Sequence, residues 1–584
     1  MTTLSKHSSD DFLGHPKGVF VCFFTEMWER FSFYGMKALL LLYLIEHHKF
    51  GDGGGLDLLG AYGGLVYCIP VFGGILADRY LGMRKAVIFG ALLLVAGHAG
   101  MALEGDTARM VNGVMLRDEA ALLALYASLA LIMMGVGFLK PNISTIVGKL
   151  YAPDDARRDS GFSLFYAGIN LGALLASIVC GYLGQTYGWK YGFGAAGIGM
   201  LLGLFQFLWG QKYLQGHAEP LKPLAKKTEW TIYAGAIAGL VPLVALMWAV
   251  ANGAFTLPGD ISLAFGMMIL VMIGVIIWFM WFILSQCTRV ERHQMISLMV
   301  LIAMCLVFFT MYEQTYGSWV TFTDRLLTKD IAPSLLIVSD KPPLPWSIIS
   351  LLLAPLSFVF ATWLSERSPS STLPRLLFLG SFGVMLVFLI RDSLVLPQTA
   401  GSLTYLGAMF LVLFAPLFTS LWGWLDKRNL NPSKPVKTSI GLLLGGLAFI
   451  PLALAAQQAG ATGEQASVWF LVAAYAVLAM GEMCLSPVGL SAVTQLSVPR
   501  VMSLMMGSWF LATAFSETLA ARFGKMAAID IPEGTKLVAG SAQWVDAAAK
   551  YEHLFWVMMA IGVGFAVLII AVSPLIRRGM HGVK

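Results

Sequence analysis

Long apolar runs alternate with short polar segments along nearly the whole chain. A helix that crosses a bilayer needs about 20 predominantly apolar residues. Runs near 18–45, 56–77, 86–104, 120–143, 161–184 and 191–210 make a first block of six. The stretch WGQKYLQGHAEPLKPLAKKTEW follows and reads as a linker, and two more runs lie near 230–251 and 261–284. After SQCTRVERHQ come runs near 295–323, 345–364, 374–390, 401–425, 438–456, 467–490, 501–521 and 553–576. The pattern predicts an all-α polytopic membrane protein with about 16 spans. Its expected units are a six-helix bundle over 1–215, a cytoplasmic linker with two extra spans over 216–290, and a second six-helix bundle over 291–584. A helical hairpin near 345–391 interrupts the second bundle.

Composition agrees. The 584 residues are 58% hydrophobic and 12% charged, whereas soluble domains are about a quarter charged. The net charge of +6 is no nucleic-acid signal, because its distribution follows topology. With the N-terminus cytoplasmic, the inner loops hold Arg79, Arg84, Lys85, Lys149, Arg157, Arg158, Lys222, Arg289, Arg292, Lys427, Arg428 and Lys584, among others. The outer loops at 251–261 and 457–466 have no Lys or Arg. This satisfies the positive-inside rule and predicts a multi-pass protein of the cytoplasmic (inner) membrane with both termini inside. The polar first 17 residues and the long first run show no cleavable signal. Six cysteines scattered singly form neither a disulfide framework nor a metal spacing, so no metal or cofactor is expected.

The first run, FFTEMWERFSFYGMKALLLLYL, carries Glu26, Glu29, Arg30 and Lys37. Each such charge costs about 2.5–3.5 kcal/mol at mid-bilayer on insertion scales. Residues of this kind face a partner or a wet cavity and mark function. At about 100° per residue, Glu26, Arg30, Tyr34 and Lys37 share one stripe, with Glu29 on its flank. Two bundles with a charged stripe between them suit a secondary transporter, whose substrate site lies at the bundle interface.

The loop GGILADRYLGMRKAVIFG sets Asp78, Arg79, Arg84 and Lys85 at the cytoplasmic face, where they can pair across the bundles as a gate. It resembles the loop signature of the major facilitator superfamily. EMWERFSFYG resembles the ExxERFxYYG signature of the proton-coupled oligopeptide transporter family, and FSLFYAGINLGAL fits that family's second signature. The stretches Ala415–Phe449 and Gly481–Ala514 resemble its eighth to eleventh helices. The resemblance implies a major-facilitator-type fold that imports di- and tripeptides with protons by alternating access. Phe33-Tyr34 replaces the family's Tyr-Tyr pair, Gly407-Ala408 stands where the family has Asn-Pro, and the hairpin near 345–391 is additional.

A short peptide is a zwitterion of variable side chain, so a promiscuous site grips the termini. Arg30 suits a carboxylate through its planar fork, and Tyr34 adds a hydroxyl. The resemblance implies the same task for Lys140, the peptide amine for Glu482, and an outer-mouth pair between Lys37 and Glu313. Asn170 can hydrogen-bond the peptide, and Tyr67 and Trp509 are pocket-wall candidates. No oxygen-rich sodium site stands out, while Glu26, Glu29, Glu313 and Glu482 can carry protons. His98 reads as a packed histidine. Two other readings keep the fold: a carrier of nitrate or an amino-acid-like solute, and a non-transporting peptide sensor. Glu482 favours a cargo with an amine. No metal spacing, nucleophile motif or phosphate loop suggests an enzyme.

Overall fold

The computed structural model describes residues 11–582, apart from 153–154, 156, 215, 220–223, 255, 257, 259–260, 338, 340, 368–371 and 530–536. The expected inner-loop cations Lys222 and Lys584 lie outside the described residues. The helices of the first block are α1 (Lys17–Leu42), α2 (Asp52–Leu81), α3 (Met83–Met101), α4 (Glu119–Lys149), α5 (Ser160–Tyr187) and α6 (Trp189–Leu214). Next come α7 (Lys226–Ala251) and α8 (Leu263–Gln286). The rest of the chain forms α9 (Arg289–Leu326), α10 (Ser347–Arg367), α11 (Leu373–Val395), α12 (Ser402–Lys427), α13 (Lys434–Thr462), α14 (Trp469–Leu496), α15 (Met502–Gly524) and α16 (Ala542–Gly579). Fourteen of these are long and apolar enough to cross a membrane. The other two, α1 and α15, are diluted by charge: α1 by its stripe, α15 by Glu517 and several hydroxyl residues. Those two helices meet at the site described below.

In the first block α1 lies against α5 and α6, and α4 against α2 and α3. In the second, α13 packs on α14 and α16, and α9 on α14 and α15. The blocks meet where α2 runs along α15 and α5 along α12. Local sequence explains the ends and breaks. Asp118 caps α4 by accepting from the amides of Ala120 (3.0 Å) and Ala121 (3.1 Å). A capping box of Thr288 and Glu291 starts α9. The α3–α4 loop holds a hairpin, Arg109–Val111 with Val114–Leu116. Its turn residues Asn112 and Gly113 both have positive φ, at 51° and 78°.

The α-helical part of α9 ends at Tyr312 and tightens to a 3₁₀ turn over Glu313–Tyr316, before Gly317 restarts the helix at Ser318. Glu313 therefore sits at a helix break. Transporters use such breaks to expose polar groups inside the membrane.

The α10–α11 hairpin docks on the first block, although the chain inserts it in the second. Phe358 stacks on Phe20 with ring centroids 5.6 Å apart and tilts against Phe24 at 5.4 Å, while Phe378 meets Phe12 edge-on at 5.4 Å. At the rim, the Tyr213 hydroxyl donates to Glu366 (2.9 Å), and that of Tyr182 to the Pro343 carbonyl (3.0 Å).

Candidate substrate and coupling site

The stripe on α1 is buried: Glu26, Glu29, Arg30 and Lys37 are all inside, with Tyr34 half-buried. It divides into two clusters. In the first, the Nε and Nη2 of Arg30 donate to the two oxygens of Glu29. Oε1 of Glu26 lies 3.5 Å from Arg30 Nε, and its Oε2 has no hydrogen-bond partner among the described residues. The guanidinium also covers the Phe33 ring at 4.7 Å. Arg30 is thus held by a carboxylate already, and its Nη1 makes no hydrogen bond among the described residues.

In the second cluster, Lys37 Nζ lies 2.7 Å from Oε2 of Glu313 and 2.6 Å from Oε1 of Glu517. All three side chains are almost fully enclosed, at 1%, 6% and 3% exposure. The ammonium also covers the Tyr316 ring at 4.8 Å, and Tyr316 stacks on Tyr34 at 6.0 Å. That stack joins the two clusters.

Lys140, on α4, holds its ammonium 4.6 Å from the Tyr67 ring centroid on α2 and forms no ion pair among the described residues. It points to an aromatic wall inside the bundle. Glu482, on α14, is buried, and its Oε2 has no hydrogen-bond partner among the described residues. An unsatisfied buried oxygen of this kind is costly. Asn170 spends its amide on the Tyr166 carbonyl of its own helix (3.1 Å). Trp509 packs against Gly489, where a side chain would strike the indole, and meets Phe309 edge-on at 6.3 Å. Gly407 faces the Tyr475 ring.

Asp78 and Arg79 are exposed and form no hydrogen bond or ion pair among the described residues. Their neighbours Arg84 and Lys85 pair with Glu219 (2.5 Å) and Glu229 (2.7 Å) on the linker side, not with the second block as a closed gate would need. The opposite end is tied shut. Besides Lys37, Arg325 at the end of α9 grips Asp52 at the start of α2 with two bonds of 2.7 Å, and Lys525 reaches Asp57 at 2.6 Å. The Lys37 end is thus tied across the two blocks by three sets of ion pairs, whereas Asp78 and Arg79 form none among the described residues.

Glu517 is the residue that sequence reading missed. Its signal is a lone carboxylate in the run SWFLATAFSETLAA.

A sequence model of the POT family matches residues 84–391 and 394–532. The chain belongs to the POT family. It is 32% identical over 580 residues to the uncharacterized transporter YclF of Bacillus subtilis (strain 168), covering 98% of this chain and 96% of that protein. It is 29% identical to a di-/tripeptide transporter of Lactococcus lactis subsp. lactis (strain IL1403), over 100% of both chains. Among solved structures, a peptide transporter POT in complex with sulfate is 31% identical, with a TM-score of 0.71 over 98% of this chain and 97% of that one. A POT family transporter in complex with 5-aminolevulinic acid is 26% identical, with a TM-score of 0.71 over 97% and 98%. This POT-family chain is therefore a multi-pass membrane transporter of the major-facilitator type.

Proposed function

We propose that the protein is a proton-coupled symporter that imports di- and tripeptides across the cytoplasmic membrane by alternating access, with both termini cytoplasmic. The observation that carries the reading is complementary: among the described residues Lys140 is a cation without a carboxylate, and Glu482 is a buried carboxylate with an oxygen lacking a donor. A zwitterionic peptide supplies both missing partners. Its carboxylate goes to Lys140 and the spare Nη1 of Arg30, and its ammonium to Glu482. Tyr34, Asn170, Tyr67 and Trp509 surround the backbone between them. Relatives named as peptide transporters support this cargo. A simple anion such as nitrate would satisfy Lys140 and leave Glu482 unpaired, which disfavours that reading. A sensor would have no use for the buried carboxylates around Lys37.

The coupling proton is carried by the glutamates. Protonating Glu313 weakens its hold on Lys37 and loosens the mouth on that side, while the Glu26–Glu29–Arg30 cluster links this event to the substrate cations. In the opposite state, Asp78 and Arg79 close the cytoplasmic end. The moving units are residues 1–215 and 291–584, joined by 216–290. A ligand or proton drives such a change only through its different affinity for the two states.

The test is uptake of labelled dialanine into liposomes with the outside acidic. Accumulation above equilibrium is expected, collapsing with a protonophore and blocked by a tripeptide but not by nitrate or a free amino acid. Uptake of labelled nitrate with no uptake of dialanine would favour the other cargo.

A further inference from the structure

The Lys37 cluster holds more negative charge than its cation can balance. One ammonium from α1 stands between two carboxylates, Glu313 at the α9 break and Glu517 on α15, at 2.7 and 2.6 Å. Glu517 does more than touch Lys37. Its other oxygen, Oε2, rests against Gly63 on α2, where an added Cβ would stand 2.6 Å from it. Glu517 therefore reaches both α1 and α2 of the first block from the second.

Among the described residues no other cation pairs with Glu313 or Glu517: further along α1, Arg30 is taken by Glu29, and from α14 it is another carboxylate, Glu482, that faces Glu313. From α2 the groups facing Glu517 are the tyrosines Tyr62 and Tyr67, and from the α9 break Glu313. Tyrosines ordinarily ionise near pH 10 and stay neutral over the working range. From α8 the near groups are Phe265 against Phe515 and Met268 against Gly64, neither ionisable. The pairs Lys525–Asp57 and Arg325–Asp52 are already matched, further out. A dry cluster of one cation and two anions carries an uncompensated charge, which burial penalises by several kcal/mol.

We infer that Glu517 is a second proton-bearing residue of the mouth, and that the mouth shuts only when Glu313 and Glu517 together hold one proton. With no proton, the buried cluster has net charge −1 and water re-enters to hydrate it. With one proton, Lys37 keeps one carboxylate as its ion pair and the other acid as a neutral neighbour. With two protons, Lys37 loses its anion and the mouth opens again. Closing from the fully ionised open state thus takes up one proton from water, and opening at acid pH takes up the second. This deepens the proposed coupling role of Glu313, but it concerns closure alone and needs no peptide.

The experiment measures closure directly. Spin labels at Val111→Cys and Glu464→Cys, both exposed at this end, report the distance between the halves in lipid nanodiscs, in a background with Cys68 and Cys287 replaced by Ser. In this otherwise native chain the closed fraction should be bell-shaped in pH. Glu517→Gln should lose the alkaline opening and keep the acid one, since Lys37 and Glu313 then balance without a proton. Glu313→Gln should do the same through Glu517. Gly63→Ala, which displaces the Glu517 carboxyl without changing any charge, should weaken closure several-fold near neutral pH. An otherwise native chain that stays closed at alkaline pH, or a Glu517→Gln variant that still opens there, overturns the proposal. Dialanine uptake, measured separately, reports on the transport reading, so either can fail without the other.

Discussion

The helix α1 meets the second part of the chain at both ends, with opposite chemistry. Near its start, Phe20 and Phe24 pack into the rings of Phe358 and Phe378 on the inserted hairpin. Near its end, Lys37 is clasped by Glu313 and Glu517. The aromatic contact does not depend on protonation. In a membrane, where lipid tails are as apolar as the side chains, such contacts rest on packing and aromatic geometry alone. It acts as a fixed attachment of the hairpin to the first block. Under the proposed coupling the charged contact exists only in certain protonation states, which is what a switch requires. On that reading the protein separates what must stay joined from what must come apart along a single helix.

The largest effect should follow from breaking the charged end. Lys37→Ala leaves two buried carboxylates without a cation, a loss of about 3–5 kcal/mol for a broken buried pair. Closure should fail, and dialanine uptake should fall by roughly a hundredfold or more, with protein yield and thermal unfolding in detergent checking that the chain folds. Uptake within a few-fold of the unsubstituted protein would show that the mouth does not depend on this contact.

A smaller but more selective effect belongs to the substrate ends between the two attachments. Glu482→Ala removes the partner of the peptide ammonium, a charge-assisted bond of about 1.5–3 kcal/mol. Inhibition constants should rise roughly tenfold to a hundredfold for free-amine dipeptides, and far less for N-acetylated ones. Lys140→Ala should show the mirror pattern, sparing C-terminally amidated peptides. Equal losses for blocked and free peptides would make both residues structural.

The smallest effect is expected at the aromatic end. Phe358→Ala removes ring contacts worth about 0.5–1.5 kcal/mol each. Thermal stability should drop by a few degrees, with the pH profile of uptake unchanged. A shifted pH profile would mean that the hairpin takes part in the switch and would erase the contrast between the two ends.

How much of this was legible differs residue by residue. Apolar runs mark every helix, because membrane length and composition are local properties of the chain. The α1 stripe is legible for the same reason: four charges in an apolar run have no local excuse. Partners are another matter. The Lys37–Glu313 contact joins residues 276 positions apart, and only the family resemblance suggested it. Glu517 lies 480 positions from Lys37. With Arg522 and Lys525 close behind it, it reads like any acid near the end of a span. The hairpin's rings could equally face lipid or protein, so periodicity alone does not show that they cover α1. Asp78 and Arg79, proposed above as a gate, illustrate a different limit, since the pairing of a gate belongs to one conformational state and a sequence describes all of them at once. Asn112-Gly113 was a readable turn signal in a loop that the pattern of spans passes over.

The most direct measurement of the account is proton-driven accumulation against simple exchange in a protein whose charged end has been neutralised. Replacing Lys37, Glu313 and Glu517 together by Gln leaves a polar, uncharged contact that closes without a proton, since buried ion pairs are replaceable by neutral groups when all members are exchanged. The triple variant should still exchange labelled for unlabelled dialanine across liposomes and should fail to accumulate dialanine above equilibrium under an inward proton gradient. Accumulation at the unsubstituted level, with an unchanged pH dependence, would show that the proton is coupled somewhere else.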